Sequence, residues 1–171
     1  MKILGICGSL QAQSKNLALL HTAARVVPAG VELALFDGLR DLPHFNPDIE
    51  AEAPDSVQRW RQALSASDAV LIASPEYGFS LPGALKNAID WVIGSAELEG
   101  KVVAITAAVA GLERGRRGLQ ALRDTLAAVR ATIVGGEPIP VGPTFEDQVA
   151  ELVRTLIQAA GPATHSHMRS V

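Results

Sequence analysis

Residues 69–91 read AVLIASPEYGFSLPGALKNAIDW. The apolar run 69–73 is typical of a buried strand, and the spacing after it predicts a helix that begins at Pro82. This helix would bury one apolar face, formed by Leu85, Ala88, Ile89 and Val92. The loop between strand and helix contains more proline and aromatic side chains than a plain turn needs. Because open α/β sheets bind ligands at the carboxyl ends of their strands, the loop is a candidate ligand site.

The same strand, loop and helix order recurs along the chain. Apolar segments predict strands at 2–7, 31–36, 69–73, 102–107 and 131–134, with helical apolar spacing between and after them. Strict alternation predicts a parallel sheet with helices on both faces, joined by right-handed crossovers. Five strands favour the flavodoxin-like order 2-1-3-4-5. The predicted fold class is therefore α/β, a three-layer sandwich around a five-stranded parallel sheet.

Domain organisation is predicted to be simple. Residues 1–162 form one domain, and the polar tail 163–171 is expected to fray. Residues 37–53 are expected to be a long surface loop, and 138–143 an irregular segment. Asp55 or Ser56 is expected to cap the second helix.

Composition excludes several classes of protein. The 171 residues are 48% hydrophobic, so disorder is not expected, and the net charge of −3 argues against a nucleic-acid surface. The apolar runs are shorter than the roughly 18 residues that cross a bilayer. The N-terminal segment resembles a first strand more than a signal peptide, so we expect a cytoplasmic protein without a membrane partner. The single cysteine permits no internal disulfide.

The loop after the first strand has the features of a phosphate site. Ser9, Ser14 and Asn16 surround the start of a helix, where free N–H groups and the helix dipole favour an anion. The loop lacks the Gly-Lys-Ser/Thr of a Walker A motif and the Gly-x-Gly-x-x-Gly of dinucleotide sites. The alternative is an ordinary capped turn. Loops 8–16 and 74–82 follow strands 1 and 3, the switch point of the predicted sheet, so both should face one crevice.

The second loop is suited to a flat ligand. Pro75, Tyr77, Gly78 and Phe79 can line a slot for an isoalloxazine ring, and backbone N–H groups can donate to its edge. An apolar surface plug or a subunit contact is the alternative for the two aromatic residues. Glu76 is either a catalytic acid or a structural contact to a helix or partner, and the second is favoured.

Two motifs resemble a known family. Ser74-Pro75-Glu76-Tyr77 with residues 80–91, SLPGALKNAIDW, closely resembles the signature of the NADPH-dependent FMN reductase family. Gly8-Ser9-Leu10, Ser14 and Asn16 resemble its phosphate loop, Gly-Ser-Leu-Arg-x-x-Ser-x-Asn. The resemblance extends over roughly residues 2–160, and includes the segment 42–48.

The resemblance implies a function and a set of site residues. An FMN-dependent NAD(P)H oxidoreductase would pass hydride from NADPH or NADH through flavin N5 to a small-molecule acceptor, such as free flavin or a quinone, in a ping-pong sequence. No catalytic side chain and no metal are implied, and a homodimer or homotetramer is expected. The implied FMN-binding residues are Ser9, Gln11, Ser14, Asn16, Pro75, Glu76, Tyr77, Gly78, Phe79, Thr106 and Gly111. Lys15 is a further candidate, although a solvated helix position explains it better.

Two departures from the family pattern concern the site. Gln11 replaces the usual Arg, so one cation near the phosphate is missing, and Gly78-Phe79 replaces the usual Asn-Gly. Arginines in the segment 114–117 could compensate for the first. Arg116 and Arg117 are the candidates for the adenosine 2′-phosphate of NADPH, and a solvated basic loop is the alternative.

Other functions remain open at the level of sequence. A flavodoxin-type electron carrier would share the fold, and so would a flavin-binding module without turnover. His165 and His167 in the tail lack the further ligands that a metal site needs.

Overall fold

The computed structural model describes residues 1–111 and 114–161. Within them, five strands and five α-helices alternate as the sequence predicts. The strands are β1 (Lys2–Cys7), β2 (Glu32–Phe36), β3 (Ala69–Ala73), β4 (Val102–Val109) and β5 (Thr132–Pro140). The helices are α1 (Lys15–Val26), α2 (Asp55–Ser65), α3 (Gly83–Asp90), α4 (Arg116–Ala128) and α5 (Phe145–Ala160). The predicted tail 163–171 and its histidines lie outside the described residues.

The strands form one parallel sheet in the order β2-β1-β3-β4-β5. This confirms the predicted flavodoxin-like topology. β3 lies at the centre, and all five of its residues are buried. Because helices cover both faces of a central parallel strand, its sequence is continuously apolar instead of alternating.

The two faces of the sheet carry separate cores. Val70 and Ile72 of β3 point to the side covered by α2, α3 and α4, where Trp60 and Trp91 are fully buried. Ala69, Leu71 and Ala73 point to the opposite side, which α1 and α5 cover. The three layers therefore follow from the alternation of side chains along each strand. No helix in the described part of the chain is long and apolar enough to cross a membrane.

β5 is longer than the sequence indicated. The prediction of a strand at 131–134 followed by an irregular segment was wrong for residues 138–140, which still pair with β4. Gly135 and Gly136 have φ values of 68° and 105°, and the register shifts between Ile105 and Ala107 of β4. β5 pairs with one neighbour only within the described residues, and an edge strand tolerates the prolines that suggested an ending.

The segment 37–53 is an anchored connection and not a free surface loop. It contains short 3₁₀ turns at Gly38–Asp41 and Pro47–Ile49. Asn87 of α3 accepts from the N–H of Phe45 (2.8 Å) and donates to the carbonyl of Pro43 (2.9 Å), and Trp91 Nε1 donates to the same carbonyl. The expected cap of α2 was also wrong, since Pro54 occupies that position without a side-chain hydrogen bond.

Lys101 lies at the opposite, amino edge of the sheet. Burial lowers the pKa of Lys101, and the nearby carboxylate of Asp68 opposes this shift. The Lys101 ammonium donates to the carbonyl of Ser67. Its role is therefore structural.

Candidate functional site

The loops after β1, β3 and β4 meet at the carboxyl edge of the sheet because these strands are neighbours. Gly8 N donates to Ala73 O (2.9 Å), and Ser74 N donates to Thr106 O (2.9 Å). A Cβ atom at Gly8 would lie 2.6 Å from Ser74 Oγ. Only glycine therefore permits this close approach of the first two loops.

The first of these loops presents hydroxyl groups at the start of α1. Ser14 is the N-cap residue, and its Oγ accepts from Asn16 N (3.2 Å). Ser9 Oγ accepts in the same way from Gln11 N (3.2 Å). Both hydroxyls are used as acceptors, and neither donates to another group in residues 1–111 or 114–161. Their protons are therefore available to an anionic ligand.

The same loop also contains unpaired backbone donors. In the part of the chain that the structure describes, several of its N–H groups have no hydrogen-bond partner, among them those of Leu10, Ala12, Gln13 and Lys15. The N-terminus of α1 adds the positive end of the helix dipole. Unpaired N–H groups at a helix start are the usual protein site for a phosphate.

Cations flank the loop. Lys15 and Arg114 line the adjoining cleft, and Arg40 donates to the carbonyl of Leu10 (3.3 Å). None of the three forms an ion pair among the described residues. Arg40 was missed by the sequence analysis because only folding brings it next to Gln11. It supplies positive charge near the position where Gln11 lacks it.

Asn16 and Gln11 differ in their surroundings. Asn16 is buried, and its Oδ1 accepts from Ala108 N in β4 (2.8 Å). The amide therefore ties the start of α1 to β4, a contact that the phosphate-loop pattern did not indicate. Gln11 is exposed at the edge of the loop.

A cleft with a volume of about 480 Å³ lies between the loops after β3 and β4. Its lining consists of Lys15, Pro75, Glu76, Phe79, Ala107, Ala108, Val109, Ala110, Arg114 and Gly115. The alanine-rich wall leaves room for a planar group beside the backbone. Of the other expected ring contacts, Tyr77 is half-exposed at the rim, with Gly78 at the tip of its loop.

Two residues expected beyond the ring do not line this cleft. Thr106 is fully buried, and its hydroxyl donates to Glu137 O (2.9 Å), so its side chain is directed to β5. Gly111 lies on an exposed bend after β4. Between them, Ala107 to Ala110 line the cleft.

Glu76 has a structural partner. Its Oε2 accepts from the N–H groups of Arg117 and Gly118, both at 3.0 Å, and so caps the start of α4. This agrees with the helix contact favoured from sequence over a catalytic acid. A Cβ at Gly118 would lie 2.9 Å from Glu76 Cα, so the helix packs directly on the loop.

The arginines of segment 114–117 point in different directions. Arg116 pairs with Glu137 (2.9 Å) on the surface. The guanidinium carbon of Arg117 lies 4.3 Å from the centre of the Phe79 ring. Arg114, and not the two arginines singled out for the nicotinamide phosphate, lines the cleft.

Comparison with known proteins finds a matching family and similar proteins. A family model described as NADPH-dependent FMN reductase matches residues 1–143. The chain is 36% identical to an NAD(P)H-dependent FMN reductase of Pseudomonas aeruginosa over 172 residues, which cover 93% of this chain and 92% of the relative. It is 30% identical to a quinone reductase of Escherichia coli K12 over 153 residues, covering 87% of this chain and 81% of that protein.

Solved structures share the architecture. The flavoenzyme NAD(P)H:(acceptor) oxidoreductase FerB of Paracoccus denitrificans superposes with a TM-score of 0.82 at 26% identity, over 93% of this chain and 96% of FerB. Oxidised flavodoxin 1 of Bacillus cereus superposes with a TM-score of 0.66 at 16% identity, over 92% and 98% of the two chains. The second likeness shows the shared fold alone.

Proposed function

Because the chain belongs to the NADPH-dependent FMN reductase family, we propose that its carboxyl-edge cleft holds FMN, with the phosphate on the loop after β1. The ring would lie between the loops after β3 and β4. The protein is an FMN-dependent NAD(P)H oxidoreductase that acts on flavin or quinone acceptors. When bound, FMN supplies the hydride and electron transfer.

The donor set of residues 9–16 is the observation that carries this placement. Two hydroxyl protons, several unpaired N–H groups and a helix N-terminus lie within this one loop of the described structure. The side chains of Lys15 and Arg40 add positive charge there. A phosphate monoester is a dianion with several acceptor oxygens, and this set matches it.

The remaining residues of the cleft orient the ring and exclude water. Pro75 and the wall from Ala107 to Ala110 supply a flat apolar surface, while Asn16 fixes that wall to the phosphate loop through Ala108 N. Contacts to NADPH remain assigned to Arg116 and Arg117, and Arg114 joins them because it lines the cleft. The Arg116–Glu137 pair is exposed and therefore weak enough to be exchanged for a phosphate.

A pair of ligands tests the phosphate assignment. We expect Ser14→Gly to raise the Kd of the apoprotein for FMN about tenfold, the loss of one hydrogen bond to a charged group. The Kd for riboflavin, which lacks the phosphate, should not change. Glycine is chosen because it retains most of the stability of an N-cap. Fluorescence quenching of each flavin on titration with apoprotein measures both constants.

A serine far from the loop provides the control. Ser65→Ala, at an exposed hydroxyl near the end of α2, should leave both constants unchanged. Equal weakening of FMN and riboflavin binding by Ser14→Gly would contradict a phosphate site at this loop.

The assembly and location are part of the same proposal. We expect a homodimer or homotetramer in the cytoplasm. Large apolar side chains lie exposed outside the cleft, at Leu10, Ile49, Ile93 and Val141. The single cysteine suits a reducing compartment. Light scattering coupled to gel filtration measures the mass of the assembly.

A further inference from the structure

The loop after β3 closes in a tight two-residue turn. Tyr77 N donates to Ser80 O (2.9 Å), and Ser80 N donates to Tyr77 O (3.0 Å). The central residues, Gly78 and Phe79, have φ values of 56° and 63°. Positive φ at both central positions defines a type I′ turn, which favours Asn followed by Gly.

Phe79 does not suit this backbone. A left-handed conformation brings Cβ close to the following carbonyl oxygen, so a bulky residue is strained there. The ring is also 68% exposed, the largest fraction among the exposed apolar side chains of the described residues. Strained residues are retained where the surrounding structure holds them, often at ligand sites. Neither turn formation nor core packing accounts for a phenylalanine at this position.

Arg117 contacts the ring of Phe79 beside the cleft. The guanidinium of Arg117 covers one face, 4.3 Å from the ring centre. The backbone of Arg117 is fixed to the same loop, because its N–H and that of Gly118 donate to Glu76. The ring lines the cleft beside Pro75 and Arg114. It therefore has one face covered by a cation and the rest available to a molecule that enters the cleft.

We propose that Phe79 determines acceptor specificity, as an aromatic platform for planar acceptors such as two-ring quinones. The inference rests on the proposed function, since it assumes FMN in the cleft. A flat acceptor buries apolar surface against the ring, while Arg117 holds the ring in one orientation. A compact inorganic acceptor has no flat surface and gains nothing from this contact.

Two variants separate the effect of the Phe79 ring from the effect of the turn conformation. Phe79→Asn removes the ring with a residue that tolerates positive φ, and Phe79→Tyr keeps an aromatic ring. For holoenzyme reduced by NADPH, we expect Phe79→Asn to lower the ratio of kcat/KM for menadione to that for ferricyanide about tenfold. The lower ratio should result from a higher KM for menadione. Phe79→Tyr should keep the wild-type ratio, and so should Ser65→Ala, at an exposed position at the end of α2.

The measurements distinguish an error about Phe79 from an error about the proposed function. An unchanged ratio in Phe79→Asn, or an equal loss in Phe79→Tyr, would overturn the platform. A wild-type protein that binds no FMN, or whose bound FMN is not reduced by NADPH, would overturn the proposed function irrespective of Phe79. The Kd for FMN is measured in each variant, and a ratio that falls only together with FMN affinity also counts against the platform.

Discussion

Asn16 shows what a motif residue can do besides bind a ligand. Its place in the loop pattern indicated a phosphate contact, whereas its Oδ1 accepts from Ala108 N across 92 residues of chain. The bond is buried, and an unpaired backbone N–H in its place is costly. The residue types at positions 8–16 predict an anion site, and this stays a prediction. No local signal could identify Ala108, a partner so distant in sequence.

This contact makes a stability prediction for the apoprotein. Replacing Asn16 with Leu should lower the free energy of unfolding by about 1–3 kcal/mol, because Ala108 N loses its acceptor. Asn16→Asp keeps an acceptor oxygen and should recover most of the loss. Urea denaturation of the FMN-free proteins measures this. If Asn16→Leu left the apoprotein as stable as wild type, the residue would serve the ligand alone.

The elements are joined at the site by side chains that cap or tether them. Glu76 in the loop after β3 accepts from the first N–H groups of α4, and Asn87 of α3 holds the segment around Pro43. The apolar periodicity predicted these helices. It could not predict which side chains form hydrogen bonds with the backbone groups at their ends or with neighbouring segments. The extension of β5 to Pro140 was missed for a related reason. Whether proline ends a strand depends on a neighbouring strand that local sequence does not reveal.

The cap of α4 can be measured by itself. We predict that Glu76→Ala costs about 1–2 kcal/mol of unfolding free energy, the usual range for loss of a capping acceptor. Glu151→Ala removes a carboxylate from an exposed pair with Arg154 and should cost less than about 1 kcal/mol. Thermal and urea denaturation give both values. Equal costs for the two variants would refute a capping role for Glu76.

At the scale of the whole molecule, the sheet order was predictable and the details of the cleft were not. Continuous apolar strands alternating with helices leave few topologies, because parallel strands need helices on both faces. The position of the site followed from that order, since loops after adjacent strands meet. Arg40 beside Leu10 and the stacking of Arg117 on Phe79 depend on tertiary contacts, so only the structure reveals them.

The other assignments depend on FMN being bound in this cleft, reduced by NAD(P)H and reoxidised by a small acceptor. Anaerobic titration of the FMN-loaded protein with NADPH tests it most directly. We predict that the visible flavin absorbance bleaches with an equimolar amount of NADPH and returns when menadione is added. Flavin that stays oxidised with both NADPH and NADH, or a protein that retains no FMN, would contradict this function.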